Sequence, residues 1–107
     1  RVGSADANPY LTAAANIASG LDGIKNSIDP EEAVTGNAYD LQDELSTSLQ
    51  LSSNLRDASL DFSRSEVVRE YMGDAFVDHY AASREWEVRE YERSVNDWQL
   101  KRYFEII

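Results

Sequence analysis

Apolar residues first gather between positions 10 and 24. Tyr10, Leu11, Ala13, Ala14, Ala15, Ile17, Ala18, Leu21 and Ile24 recur at helical spacing and cover nearly the whole circumference. Asn8 is a favoured N-cap, and Pro9 at the first helical position gives up a donor that has no partner there. The pattern predicts a helix from Pro9 to about Lys25. A helix apolar on all sides wants cover on all sides. Its many alanines suit a close approach of neighbouring backbone. Gly20 and Gly23 each cost roughly 1 kcal/mol relative to alanine, a loss that tight packing would offset.

The pattern then thins. Asp29-Pro30-Glu31-Glu32 and Thr35-Gly36-Asn37 read as turns. Residues 26–47 read as a long, acidic, irregular segment, of the kind that is functional or packed on a neighbour. Ser48 is placed to cap a short helix carrying Leu49, Leu51 and Leu55. Ser63 and Glu66 have capping-box spacing ahead of Val67, Val68, Tyr71 and Met72, a helix that breaks near Gly73. Asp74 is expected to cap a long helix to about Arg93. Val77, Ala81, Arg84, Val88, Tyr91 and Val95 then form one apolar seam with a single arginine in it. Asp97 opens a last helix, Trp98 to about Ile106. No stretch of four or more alternating residues reads as a strand. As given, the chain is mainly α, with about five helices and a long loop. Its first helix carries more apolar surface than so short a chain covers comfortably, because a domain of this size buries only about two-thirds of its unfolded surface.

Charge narrows the function. The 107 residues are the size of one small domain, and 20 acidic against 10 basic side chains leave a net charge of −10. That excess argues against a partner that is nucleic acid, whose phosphates need a basic stripe. It argues equally against a basic helix lying on an anionic membrane. With no cysteine there is no disulfide, thiolate metal site or cysteine nucleophile, which fits a cytoplasmic setting. No apolar run approaches the ~18 residues of a spanning helix. Arg1-Val2-Gly3-Ser4 has no signal-peptide run behind it. The first residue is Arg rather than Met, so the chain is expected to be processed or a piece of something longer.

The chemical inventory is sparse. The sole histidine, His79, stands beside Asp78. Asp74 and Asp78 share a helical face, but His79 points about 100° away, so a solvated face is expected and not a metal site. Gly20-x-x-Gly23 lies inside a helical pattern and makes no phosphate loop. Trp86, Tyr91, Trp98, Tyr103 and Phe104 at helical spacing are core or interface material, not a base-stacking platform. The residues by themselves describe an acidic helical segment that needs a partner surface and holds no complete active site.

Ala5-Asp6-Ala7-Asn8-Pro9-Tyr10-Leu11, then Ala13-Ala14-Ala15, Gly20-Leu21-Asp22-Gly23-Ile24-Lys25-Asn26 and Ile28, resembles the C-terminal part of the glutamine synthetase family. The resemblance continues through Gly36-Asn37-Ala38-Tyr39-Asp40-Leu41 and Ser48-Leu49. It is close over residues 1–49 and looser beyond. Members are several times longer, so it implies that residues 1–107 are an incomplete C-terminal part of an α+β catalytic domain. It implies an ATP-dependent ligase that joins glutamate to ammonia through γ-glutamyl phosphate. ATP and two divalent ions, Mg2+ or Mn2+, would be held by residues outside this segment, which alone is expected to bind none of them and to be inactive. It further implies homo-oligomeric stacked rings, with C-terminal helices contributing to the contacts.

One substrate-binding residue carries over. Arg1 falls on the arginine that ends a strand in a Glu-x-Arg pattern and contacts glutamate and the transferred phosphoryl group. A guanidinium fork suits charge developing on an acyl phosphate. Tyr39 falls on a loop tyrosine that some bacterial members adenylylate, although Ala38 stands where they have leucine. Gly3 and Leu45-Ser46-Thr47-Ser48-Leu49 depart from the family pattern, each lacking a frequent proline. Glu85-Trp86-Glu87, Tyr91, Val95-Asn96-Asp97-Trp98 and Arg102-Tyr103 are more similar to the branch that joins glutamate to amines or polyamines. The acceptor is therefore ammonia or an organic amine, and a non-catalytic helical interaction module is the further alternative.

Overall fold

The computed structural model describes residues 3–37, 39–40 and 50–104. Among these residues run five helices and no strand: α1 (Pro9–Lys25), α2 (Leu55–Arg64), α3 (Glu66–Met72), α4 (Asp74–Arg93) and α5 (Asp97–Tyr103). The mainly α class and the boundaries of α1 agree with the sequence. Asn8 Oδ1 accepts the backbone N–H of Tyr10 at 3.0 Å and of Leu11 at 3.3 Å, which satisfies two donors at the open end of α1. At the other end Ser27 takes a φ of +51°, and Ile28 N–H reaches back to the Gly23 carbonyl at 2.9 Å.

Four caps differ from expectation, each for a local reason. Ser48 and Leu49 lie outside the described residues, and Leu51 precedes the helix it was assigned to. Asn54 caps α2 instead, accepting Asp57 N–H at 2.9 Å and donating Nδ2 to the Asp57 carboxylate at 2.7 Å. Because α2 continues to Arg64, Ser63 is still helical and donates to the Leu60 carbonyl at 2.8 Å. Ser65 therefore caps α3, accepting Val68 N–H at 3.2 Å. Asp74 is the first residue of α4 and not its cap; Gly73 holds that position at φ +83°, with no side chain to offer. Asn96 opens α5 in a reciprocal box with Gln99, 3.0 Å in each direction. Residues beyond Phe104, Ile106 among them, lie outside the described region.

The core lies between α2 and α4. Val77, Ala81 and Val88 are buried on α4, and Ser59 is buried on α2. Three of these four side chains project from positions 77, 81 and 88 of the expected seam. Small residues there let the two helices approach closely. The seam ends after Val88: Tyr91 is 70% exposed and Val95 is also exposed. Arg84, the polar member of the seam, is half-buried because its guanidinium lies over the Tyr80 ring, 5.3 Å from the centroid. Tyr80 in turn meets Phe62 edge-on at 5.4 Å and stacks on Phe76 at 5.6 Å, so α2 and α4 share an aromatic cluster.

Helix α1 stands apart from that core. Asp22 is its one buried residue, while Tyr10 is 84% and Ile24 79% exposed. Among the described residues its backbone approaches α3 and no other helix, and α5 approaches none. The radius of gyration is 18.0 Å, against about 13 Å for a compact domain of this length. The accessible surface is 9417 Å², against roughly 6,000 Å² for a monomer of this mass. The apolar surface that the sequence could not cover is uncovered in the fold.

Candidate functional site

Arg1 lies outside the described residues. Tyr39 is described, and it stands on a turn built by Asn37. Asn37 Oδ1 accepts Tyr39 N–H at 3.2 Å, its Nδ2 donates to the Asp40 carboxylate at 3.1 Å, and its carbonyl accepts Asp40 N–H at 3.1 Å. An asparagine turn of this kind fixes the backbone and leaves the next side chain free to project. The Tyr39 ring is 83% exposed.

Near the end of α1, Asp22 lies between Gly20 and Gly23 in sequence and is buried. Its Oδ1 accepts Asn26 Nδ2 at 2.9 Å, and its carbonyl accepts Asn26 N–H at 2.9 Å. Asp22 thereby closes the end of α1. One residue before that cap, Lys25 Nζ meets the Glu70 carboxylate of α3 at 2.5 Å. The hydrogen bond to Glu70, and then its charge, hold the Lys25 ammonium above the ordinary lysine value of 10.5. The sequence offered a faint signal for Asp22, an acid set among apolar helical positions. It offered none for Lys25 with Glu70, which lie 45 residues apart.

Asp74, Asp78 and His79 do not converge. Arg69 takes both carboxylates, Nη1 to Asp74 and Nη2 to Asp78, each at 2.8 Å. These two hydrogen bonds, Asp74 first, raise the already high pKa of the guanidinium. Among the described residues no three His, Asp or Glu side chains are grouped to hold a metal ion. Nor is any described helix long and apolar enough to cross a membrane.

A groove of about 580 Å³ lies between the start of α2 and the second half of α4, with Leu55, Val88 and Tyr91 lining it. Arg56 and Glu92 pair across it, and that hydrogen bond raises the pKa of Arg56. Asp57 and Glu87 add acid to its walls. No nucleophile–base pair stands in it, so it is a concave surface and not a reaction centre.

Residues 1–103 match the catalytic domain of glutamine synthetase. The chain is 41% identical over 107 residues to a glutamate–isopropylamine ligase from a Pseudomonas species, covering all of this chain and 23% of that protein. It is 38% identical over 108 residues to type-1 glutamine synthetase 2 of Dictyostelium discoideum, covering all of this chain and 20% of that protein. A glutamate–methylamine ligase from Methyloversatilis universalis is 36% identical over 108 residues, covering 98% of this chain and 24% of its own length. The chain thus spans between a fifth and a quarter of the length of these three relatives.

Proposed function

Because the chain belongs to the glutamine synthetase catalytic-domain family, we propose that it is part of an ATP-dependent ligase acting on the γ-carboxylate of glutamate. The observation that carries this reading is the family match across residues 1–103. In the proposed reaction ATP transfers its γ-phosphoryl group to the γ-carboxylate and ADP leaves; ammonia then attacks the acyl carbon, loses a proton, and phosphate leaves as the amide forms. An organic amine as acceptor is the second reading. It is favoured by the 41% identity to a protein named for isopropylamine and the 36% identity to one named for methylamine.

Within these 107 residues Arg1 is the proposed contact to glutamate and the transferred phosphoryl group. Mg2+ or Mn2+ and the nucleotide belong to the rest of the protein, and this segment alone is inactive. Tyr39 is the proposed regulatory position; its exposure on a fixed turn makes the hydroxyl reachable by a modifying enzyme. The uncovered face of α1 is the surface that lies under the remainder of the domain. The exposed Trp98, Leu100, Tyr103 and Phe104 supply contacts in a homo-oligomeric ring of a cytoplasmic protein.

The test is a phosphate-release assay on the full-length protein with ATP and glutamate, in parallel with ammonia, methylamine, isopropylamine and ethanolamine. Glutamate- and acceptor-dependent release, with the γ-amide identified by mass, is the expected result. Release with none of the four acceptors would overturn the ligase reading. Replacement of Arg1 by Lys keeps the charge and loses the fork, and is expected to lower turnover on the order of a hundredfold.

A further inference from the structure

Helix α3 has seven residues, none of them buried, yet it is the one helix that α1 approaches among the described residues. Two adjacent side chains on α3 reach in different directions, as consecutive helical positions do, about 100° apart. Arg69 turns to the rest of the helical unit. Its Nε donates to the Ser63 carbonyl in the last turn of α2 at 2.9 Å, and its two Nη atoms hold Asp74 and Asp78 on α4. Glu70 turns to α1 and accepts from Lys25. The direct seam between α1 and the other helices is open: a cleft of about 200 Å³ separates Leu11 and Ala15 from Phe62, Phe76 and Tyr80. Apolar packing there is therefore incomplete, and the ionic contacts of α3 bridge the gap.

We propose that α3 is a two-sided connector through which the α2–α4 pair sets the seat of α1, with Arg69 and Glu70 as its positioning residues. Arg69 fixes α3 against the ends of α2 and α4. Glu70, next in sequence, passes that position to Lys25. The two halves are unequal. Arg69 makes a forked, three-partner contact with a side chain about two-thirds buried, and Lys25 with Glu70 is a single exposed pair. The proposal stands on the helices alone and does not depend on the ligase reading.

Backbone hydrogen exchange in the full-length protein tests it, read over α1, α3 and α4 separately. Glu70→Gln is expected to speed exchange in α1 about two- to fivefold and leave α3 and α4 at wild-type rates. Arg69→Gln is expected to speed exchange about tenfold in both α3 and α1, with α4 unchanged. The charge swap Lys25→Glu with Glu70→Lys is expected to return α1 close to the wild-type rate, which a purely steric role for Glu70 would not do. Unchanged exchange of α1 in both single variants overturns the proposal. So does a swap that leaves α1 as loose as Glu70→Gln does. If Arg69→Gln fails to fold, Asp78→Asn removes one of its three partners and is judged by the same criterion.

Discussion

Ser59 shows how closely α2 and α4 approach. Its hydroxyl is the one buried side-chain polar atom among the described residues left without a hydrogen-bond partner. A larger residue would force the helices apart, so a small one sits there despite the cost of an unmet hydroxyl. Ser59→Ala removes that cost and keeps the size. It is expected to raise stability by about 1 kcal/mol in urea unfolding of the full-length protein. A loss of stability would reveal a partner for the hydroxyl. Gly73 is the second telling residue. With φ +83° and ψ 145° it occupies a region that side chains other than glycine's reach only at a strain of about 1–3 kcal/mol. The sequence marked this break correctly, because a glycine between two helical patterns has few other uses. It misassigned the cap beside it, because Asp74 has the right chemistry for an N-cap and only the fold shows Arg69 claiming its carboxylate.

Among the elements, α4 was the most legible and its surroundings the least. The spacing of Val77, Ala81 and Val88 gave its buried face correctly. The same spacing continued to Tyr91 and Val95, which the fold leaves in solvent. Periodicity reports which residues share a face, not how far the neighbouring helix extends along it. Val77→Ala is accordingly expected to cost about 1–3 kcal/mol of unfolding free energy, since Val77 is fully buried. Val95→Ala stays within ~0.5 kcal/mol as long as nothing else covers that end; a loss equal to that of Val77→Ala would expose a partner surface there. The tie between α1 and α3 also carries a pH signature. Glu70 raises the Lys25 pKa in the folded state, so the pair contributes below the unfolded lysine value of about 10.5 and is lost as pH rises through the higher folded value. The difference in urea midpoint between wild type and Lys25→Met is expected to hold from pH 7 to about pH 10 and close above that. Closure already by pH 9 would mean that the ion pair is not what the substitution removes.

For the molecule as a whole, the arithmetic of cover dominates. Residues 1–107 expose roughly half as much surface again as a compact monomer of their mass. Exposed apolar side chains on α1 and α5, Tyr10, Ile24, Trp98 and Tyr103 among them, are part of that surface. The isolated segment is therefore expected to bind a hydrophobic dye, keep its helical far-ultraviolet spectrum and melt without a sharp transition. A cooperative calorimetric peak would show that α1 finds its cover within the segment. This part of the picture was legible from the apolar pattern and the length of the chain: a helix apolar all round in a chain that cannot enclose it. What was not legible is the set of contacts that bridge distant positions, such as Arg56 with Glu92 and Lys25 with Glu70, since no local pattern fixes which charges meet. The candidate chemistry divides in the same way. Tyr39 could be picked from its motif and a turn at Asn37 from its composition, whereas the hydrogen bonds from Asn37 to Tyr39 and Asp40 are visible only in the fold.

The helices from Leu55 to Arg93 follow one another with single-residue joints, Ser65 after α2 and Gly73 after α3. Such joints have no slack. One inserted residue at either would rotate the following helix by about 100°, parting Arg69 from its aspartates. Changes of length among relatives are thus expected to gather in the exposed segment 29–37 and to spare residues 55–93, where a single indel would undo three helices at once.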